Sequence, residues 1–331
     1  MLIRVHATAI NRADLVQRRG AYPPPPGASP ILGLECAGEI AAVGAGVTEW
    51  KDGDRVCALL AGGGYAEYAV APAGSVVRIP GGHSFAHGAS LPEVFATAWL
   101  NLFIEANLTP GEKVILHAGA SGVGTAATQL CRAFGNPCFV TAGSDAKIDT
   151  CIELGAETGA NRHTESFGEK AKAFAAGTGI DVILDPVGAE YFEDNIHLLG
   201  VGGRLVVIGL MGGAKTEIDL AQLLMKRIKI VGSTLRSRPV EEKAVIMSQL
   251  EQKVWPLIEK GNIRPIIDQT YAITEASGST RTRRVQCDDR QSRPDGTSSV
   301  RAGRRWQGGP AMRAPCRLQR RLPPESPFPF R

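Results

Sequence analysis

The sequence predicts an α/β protein that combines a doubly wound parallel sheet with a second, mostly β domain. Residues 1–94 are rich in Gly and Pro and contain short β-branched runs bounded by turn residues. From residue 95 onward, buried-strand runs of apolar residues alternate with segments of helical length. Apolar strands that alternate with helices are typical of a parallel sheet covered by helices on both faces.

The order of these segments predicts where each domain lies. The β domain, 1–94, has the strand candidates LIRVHATAI, GEIAAVG, RVCALL, YAEYAVAP and SVVRIP. The parallel sheet, 95–233, has the strand candidates KVILHAG, PCFVTAG, GIDVILD and GRLVVIGL, with helices predicted over Gly124–Phe134 and Ala146–Leu154. A helix over 239–260, opened by Pro239, precedes the β segment IRPIIDQTYAI. We therefore expect residues 234–276 to return to the first domain.

Composition is that of a globular protein, with 44% hydrophobic and 21% charged residues among 331. The N-terminus lacks the apolar core of a signal peptide, and no apolar run is long enough for a membrane helix. The seven cysteines form no CxxC pair and the six histidines show no ligand spacing. These features predict a cytoplasmic protein with reduced thiols, no metal site and no membrane contact.

The segment 277–331 differs from the rest in composition. It holds 13 Arg and four acidic residues, whereas the whole chain has a net charge of +4, so the main body is mildly acidic. A basic arm for nucleic acid is one interpretation. We favour a shifted reading frame, because one permissible coding sequence for residues 277–295, read one base later, gives QEAHARVESNATIGKVVL. We expect an irregular tail and no nucleic-acid partner.

The strongest local motif is KVILHAGASGVG at residues 113–124. A buried strand enters a Gly-rich turn and then a helix, where missing side chains let the backbone approach a pyrophosphate. The free N–H groups and the positive end of the helix dipole attract the phosphates. This context predicts a Rossmann dinucleotide site at Gly119, Ala120, Ser121, Gly122, Val123 and Gly124.

The next strand, CFVTAGS, bears on which dinucleotide binds. An NAD site usually has an acidic residue at the end of this strand, whereas here Gly143 and Ser144 are followed by Lys147. A hydroxyl and an ammonium group attract a 2′-phosphate, so NADPH is predicted. Asp145 is the dissenting residue, although it suits a helix N-cap. Lys147 could also be only a solvated helix lysine.

Several segments together resemble the quinone oxidoreductase branch of the zinc-free medium-chain dehydrogenases/reductases. The likeness is to the p53-inducible subgroup, which is similar to zeta-crystallin, and it covers residues 1–276. It rests on NRADLVQRRGAYPPPPGASPILGLECAG (11–38), HAGASGVGTAA (117–127), LGAE (154–157), GLMGG (209–213) and GSTLRSRP (232–239). The resemblance implies a GroES-like substrate domain that lacks an N-terminal hairpin here, a cleft for NADPH and substrate, and a homodimer joined through the Rossmann sheets.

Zinc-dependent relatives carry a Cys ligand near the NRAD segment and a His in a Gly-His-Glu segment. The corresponding residues here are Asn11-Arg12-Ala13-Asp14 and Gly33-Leu34-Glu35. The Leu34 side chain has no atom that can bind zinc. The resemblance therefore implies hydride transfer without a metal.

The same resemblance implies catalytic residues in the substrate cleft: Tyr22, Asn11, Asp14 and Ser121. Tyr22 could donate its phenolic proton or only wall the pocket, and Asp14 could only cap the helix DLVQRRG. Arg162 stands where the family often has a tyrosine, and it could pair with the 2′-phosphate. Further cofactor contacts are implied for Thr97, Gly209, Leu210, Met211, Leu235, Arg236 and Ser237.

Three functions fit these residues. The leading prediction is two-electron reduction of a quinone by NADPH. The same cleft could instead reduce the activated C=C bond of an enal or enone. A non-catalytic, crystallin-like protein that binds NADPH is the third possibility.

Overall fold

The computed structural model describes residues 1–275 and, for the main chain alone, residues 285–288. The chain divides into two compact units, Met1–Gln291 and Ser292–Arg331. The second unit, and with it most of the Arg-rich segment and its proposed frame shift, lies outside the described residues. No helix in the described part is long and apolar enough to cross a membrane.

The described strands, in chain order, are β1 (Leu2–Ala9), β2 (Glu35–Ala42), β3 (Arg55–Leu59), β4 (Tyr68–Val70), β5 (Val76–Arg78), β6 (Val114–Leu116), β7 (Cys138–Ala142), β8 (Thr158–Asn161), β9 (Ile180–Asp185), β10 (Leu199–Val207), β11 (Lys229–Gly232), β12 (Gln269–Tyr271) and β13 (Val285–Asp288). The α-helices are α1 (Arg12–Arg18), α2 (Phe85–Ala89), α3 (Pro92–Trp99), α4 (Gly122–Ala133), α5 (Asp145–Leu154), α6 (Phe167–Ala175), α7 (Ala189–Leu198), α8 (Leu220–Lys226), α9 (Val240–Lys253) and α10 (Trp255–Glu259). A π-helix, Leu100–Glu105, continues α3.

The described strands form two sheets. The sheet of strands β6–β11 is parallel throughout and has the order β11-β10-β9-β6-β7-β8. This is the order of a doubly wound sheet, in which the chain reverses direction across the sheet between β6 and β9. Alternate residues of β6 face opposite cores: Val114 and Leu116 pack on one side and Ile115 on the other. The predicted Rossmann fold is confirmed.

The first sheet is mostly antiparallel and has the order β12-β13-β1-β2-β3-β5, with β4 also pairing with β1. Its strands β12 and β13 come after the parallel sheet in the chain, so the C-terminal part of the described chain returns to the first domain. This confirms the GroES-like substrate domain as the second component of the fold. Strand β13 pairs antiparallel with β1, which differs from the irregular structure expected at these four residues. Main-chain hydrogen bonds between strands need no particular side chain, so the edge of β1 beyond its pairing with β4 can accept this strand.

Three helices differ from their predicted bounds. Helix α4 begins at Gly122, two residues earlier than predicted, because Ser121 is its N-cap, and it ends at Ala133. The helix predicted over 239–260 is broken at Val254 into α9 and α10. Pro256 causes the break, because its nitrogen has no hydrogen to donate to the preceding turn. Helix α5 begins one residue earlier than expected: Ser144 is the N-cap, and Asp145 is already in the first turn.

Candidate functional site

The Gly-rich turn lies at the carboxyl edge of the parallel sheet, between β6 and α4. A Cβ atom on Gly124 would lie 2.4 Å from the carbonyl oxygen of Gly119, and one on Gly119 would lie 2.7 Å from Cβ of Val140. Ser121 is the N-cap, and its hydroxyl accepts a hydrogen bond from N–H of Gly124 at 3.1 Å. The first N–H groups of α4 have no acceptor within the helix. The backbone here forms the close-approach cradle that a pyrophosphate requires.

Polar groups gather at the ends of the next two strands. Gly143 and Ser144 follow β7, and Arg162 follows β8. A Cβ on Gly143 would lie 3.5 Å from Nη2 of Arg162, so the guanidinium rests against this glycine. Lys147 is exposed in the first turn of α5. The end of the second strand along the chain, β7 here, is where a doubly wound site usually contacts the ribose of the dinucleotide.

Asp145, the acidic residue that follows Ser144, is hydrogen-bonded to the protein itself. The Asp145 carboxylate accepts a hydrogen bond from the Asn161 amide at 2.8 Å. The Arg162 Nε–H donates to Nε2 of His163 at 3.3 Å. The guanidinium therefore has donors left over for an anion, since it carries five in all.

A buried polar network behind the turn was not found by sequence reasoning. His117 Nε2 lies 2.7 Å from Oδ1 of Asn195, whose amide donates to Asp185 at 3.2 Å. The Asp185 carboxylate also accepts from N–H of Val187 at 2.6 Å and of Gly188 at 3.1 Å. Burial lowers the pKa of His117 to about 4 and raises that of Asp185.

The network joins two turns at the carboxyl edge. Because the Asn195 amide donates to Asp185, its oxygen must accept from His117, which makes Nε2 the protonated nitrogen of a neutral ring. The network thereby ties the start of the Gly-rich turn to the turn after β9. A histidine and an asparagine 78 residues apart give no local signal of this contact.

The turn after β10, at Gly209, also lies at the carboxyl edge of the parallel sheet. A Cβ on this glycine would lie 2.8 Å from the carbonyl oxygen of Pro186, and N–H of Met211 donates to the same oxygen at 3.2 Å. Leu210 and Met211 are exposed. Ser237, after β11, meets the Thr234 hydroxyl at 2.9 Å.

The side chains of the predicted cofactor residues after β11 lie in different surroundings. The Leu235 side chain is buried in the hydrophobic core. The Arg236 side chain turns to the substrate domain instead, where it donates to Gln17 and to the carbonyl of Ala61, both at 2.8 Å. Thr97 is half-buried on α3.

On the substrate side, Asn11 precedes α1 and is bonded to a residue that sequence reasoning did not select. Its amide donates to Oε1 of Glu35 at 2.7 Å. Glu35 is fully buried, and its Oε2 accepts from N–H of Glu93, in the first turn of α3, at 2.9 Å. One carboxylate thus orients Asn11 and the start of α3, where negative charge is favourable. The sequence contains Glu35 in the segment Gly33-Leu34-Glu35, next to the residue that replaces the zinc ligand, so its position could have indicated a role in the site.

Asp14 is almost completely buried, and its two oxygens bind the main chain. Oδ2 accepts from N–H of Asn11 at 2.8 Å and Oδ1 from N–H of Gly33 at 2.9 Å. Burial raises the pKa of Asp14, against the effect of these hydrogen bonds and of the Arg236 charge. The geometry matches the capping alternative, because the carboxylate fixes the start of α1 against the loop at Gly33.

Tyr22 is half-buried beneath a charged side chain. The guanidinium carbon of Arg236 lies 5.3 Å from the centre of its ring. Burial and the Glu93 charge raise the pKa of Tyr22, while the Arg236 charge lowers it. A phenol in such a setting can donate a hydrogen bond or a proton at neutral pH.

At the position of the catalytic zinc ligand in metal-dependent relatives, Leu34 is 1% exposed and packs in the protein interior. Within residues 1–275, no three His, Cys, Asp or Glu side chains are grouped to hold a metal ion.

A doubly wound sheet with this turn, joined to a GroES-like domain whose last strands come from beyond it, defines a nucleotide-dependent oxidoreductase of the medium-chain dehydrogenase/reductase class. Family comparisons agree: residues 1–81 match the alcohol dehydrogenase GroES-like domain, and residues 122–251 match the zinc-binding dehydrogenase family. Quinone oxidoreductase of Rattus norvegicus is 33% identical over 278 residues, which cover 84% of this chain and 83% of the rat protein. The chain belongs to the quinone oxidoreductase branch of this class.

Solved structures give the same result. Quinone oxidoreductase of Escherichia coli, complexed with NADPH, superposes with a TM-score of 0.75 at 26% identity, covering 87% of this chain and 90% of that one. CurK enoyl reductase superposes with a TM-score of 0.75 at 28% identity, with the same coverage. The fold is therefore shared with a quinone oxidoreductase and with an enoyl reductase.

Proposed function

We propose that this protein reduces quinones with NADPH by direct hydride transfer, without a metal. The observation that carries the proposal is the substrate side of the site. Leu34 has no ligand atom at the zinc position. Asn11, which is bonded to Glu35 beside Leu34, and Tyr22 are both hydrogen-bonding groups. A quinone accepts a hydride readily, so orientation and a proton source suffice.

The residues of the chain have separate tasks in this proposal. When bound, a reduced nicotinamide would supply the hydride. Gly119, Gly122 and Gly124 leave room for the pyrophosphate, and Ser121, at the N-cap of α4, would contact cofactor and acceptor. Glu35 orients Asn11, and Tyr22 donates the proton that the reduced acceptor needs.

NADPH is proposed in preference to NADH because of the charges beyond β7 and β8. Lys147 and Arg162 supply two cations and Ser144 a hydroxyl, whereas the Asp145 carboxylate is bonded to Asn161. A 2′-phosphate gains charge-assisted hydrogen bonds in this setting.

One set of assays separates the three candidate functions. Initial rates with NADPH should be measured with a simple quinone and with an enone of similar size, alongside cofactor binding by fluorescence. We expect turnover with the quinone and a kcat/KM for the enone at least about tenfold lower, which is a difference of 1.4 kcal/mol in barrier. The opposite preference would favour the C=C reductase, a possibility supported by the likeness to CurK enoyl reductase. Tight cofactor binding without turnover of either acceptor would indicate the crystallin-like alternative.

Metal independence has its own test. Exhaustive chelation and dialysis should leave the rate of quinone reduction unchanged, because Leu34 provides no ligand. A stoichiometric metal in the purified protein, lost together with activity, would contradict the proposal. We also propose that the protein is cytoplasmic. Among residues 1–275 the five cysteines, Cys36, Cys57, Cys131, Cys138 and Cys151, are free thiols, which suit a reducing compartment.

We further propose a homodimer joined at the β11 edge of the parallel sheet. β11 is the last strand in the order, and none of the residues of α8 beside it is buried. Leu220, Leu224 and Met225 are at least 70% exposed there, and Ile230 on the strand is also exposed. A second copy that paired its β11 with this one would satisfy the open edge and cover these apolar side chains.

A further inference from the structure

Arg236, four residues after the last strand of the parallel sheet, contacts three residues of the domain formed by residues 1–94. Its Nε donates to the carbonyl of Ala61 at 2.8 Å, Nη2 to the side chain of Gln17 at 2.8 Å, and Nη1 to the carbonyl of Tyr22 at 3.3 Å. We call these four residues the Arg236 clamp. The arginine is 3% exposed, so the clamp is an internal structure and not a surface contact.

The clamp limits the freedom of Tyr22 in two ways. The hydrogen bond holds the main chain of Tyr22, and the guanidinium lies 5.3 Å from the centre of the ring. A cation stacked on an aromatic face favours one orientation of that ring. Tyr22 otherwise lies in a Pro-rich loop, between the end of α1 and β2, with little regular structure to orient it.

Among the described residues, no anion accepts a hydrogen bond from Arg236. Its acceptors within the described chain are two main-chain carbonyls and a neutral amide. Holding a buried cation in this way is costly. Its field acts on the acidic groups around it: it lowers the pKa of both Asp14 and Tyr22, and in each case burial opposes it.

The neighbouring groups define the field at Tyr22. Glu93, from α3, raises the pKa of Tyr22, and Arg236 lowers it. Lys243, from α9, donates to the carbonyl of Arg236 at 2.6 Å, so it supports the main chain of the clamp. Of these groups, Arg236 is the cation that covers the ring.

We propose that Arg236 is the positioning residue of Tyr22: it orients the phenol toward the acceptor and stabilises the tyrosinate that remains after proton donation. The catalytic part of this inference rests on the proposed function, quinone reduction, whereas the contact between Arg236 and Tyr22 does not. The acceptor gains a hydride and its two electrons and becomes an anion. The O–H bond of Tyr22 then breaks as the O–H bond of the hydroquinone forms. Water returns the proton to Tyr22, which is accessible because it is only half-buried.

The first test needs neither cofactor nor quinone. Tyrosinate formation is followed by ultraviolet absorbance as the pH of the cofactor-free protein is raised, and subtraction of Tyr22→Phe isolates Tyr22 among the five tyrosines. Arg236→Gln, which removes the charge at similar length, should move the Tyr22 midpoint to higher pH. Arg236→Lys, which keeps the charge, should leave it near the wild-type position. A midpoint that does not move in Arg236→Gln, or that rises equally in Arg236→Lys, overturns the inference.

Arg238 provides a matched control. It lies two residues away in the same segment, but it pairs with Glu105 and Glu242 and not with Tyr22. Arg238→Gln should leave the Tyr22 midpoint unchanged. A shift equal to that of Arg236→Gln would mean that any loss of charge in this segment acts on Tyr22, and the positioning role would be wrong.

The second test uses turnover, and it remains available if Arg236→Gln does not fold. Lysine cannot bind the three acceptors as the planar fork does, so Arg236→Lys should lower kcat with a quinone by at least about tenfold, as expected for a displaced proton donor. Its NADPH Kd should stay unchanged. An unchanged kcat would overturn the positioning role. If the wild-type protein reduces no quinone, the proposed function fails, while the titration still decides whether Arg236 controls Tyr22.

Discussion

At the scale of single residues, the proposed cofactor site would bind the two ends of the dinucleotide in different ways. At the proposed pyrophosphate position the chain lacks side chains, since Gly119 and Gly124 have no space for a Cβ. At the proposed adenine ribose position, Lys147 and Arg162 would supply charge. Glycine replacements should therefore act by steric overlap and charge replacements by lost attraction, and these two effects can be separated experimentally.

Replacing Lys147 or Arg162 with Ala should weaken NADPH binding by about tenfold each, as expected for one charge-assisted contact. NADH binding should change little, because NADH has no 2′-phosphate. Fluorescence titration with both dinucleotides measures the effect. Lys172→Ala, an exposed lysine on α6, is the matched control. Equal losses for both dinucleotides would sink the assignment of the 2′-phosphate site.

Gly124→Ala should destabilise the protein and weaken binding of both dinucleotides. The new Cβ would lie 2.4 Å from the Gly119 carbonyl oxygen, so the turn must shift, at a cost of about 1–3 kcal/mol. Urea unfolding and dinucleotide titration measure the two effects. A Cβ on Gly44 would meet nothing within 4 Å, so Gly44→Ala should be harmless. A Gly124→Ala protein with wild-type binding would show that the turn does not contact the cofactor.

At the scale of elements, the turns at the carboxyl edge depend on a buried hydrogen-bond network. His117 follows β6, Asp185 ends β9, and Asn195 on α7 lies between them. The network is neutral at the histidine because burial lowers the pKa of His117 to about 4. Acidification should therefore lower the free energy of unfolding, because the His117 of the unfolded chain takes up a proton that the folded protein does not bind.

The folded protein should lose stability between roughly pH 6.5 and pH 4 because of His117. The unfolded chain binds a proton there and the folded chain does not, so the free energy of unfolding falls by about 1.4 kcal/mol per pH unit. Asp14 and Asp185 act with the opposite sign, because their pKa values are raised. They are present in both wild type and His117→Gln, so the difference between the two proteins isolates His117.

Urea unfolding at several pH values checks this expectation. His117→Gln should be less stable at pH 7 but should lack the His117 contribution to the slope. His83→Gln, at a half-buried histidine outside this network, is the control for the loss of a histidine. Parallel curves for wild type and His117→Gln would mean that His117 takes up its proton in the folded state.

At the scale of the whole molecule, the proposed dimer depends on a few exposed side chains of α8. Leu224→Glu should shift the protein from dimer to monomer in sedimentation velocity, because two charges would meet where the copies pair. Val245→Glu, at an exposed apolar residue of α9, should not change the oligomeric state. A wild-type protein that sediments as a monomer at all concentrations would contradict the proposal.

The sequence by itself was enough to predict both sheets and the Gly-rich turn between a strand and a helix. These features depend on local patterns: the length of apolar runs, the spacing of glycines, and the helix that follows. Errors at this level were local too, such as the break that Pro256 causes at Val254.

Only the tertiary structure decided what Arg236, Asp14, Glu35 and His117 contact. Gln17 and Arg236 are 219 residues apart, and no periodicity links residues across such a distance. The physical reason is that a long side chain such as arginine can satisfy its donors in several directions. Which acceptors it meets depends on how the two domains pack, and that packing directs Arg236 away from the cofactor edge and onto Tyr22.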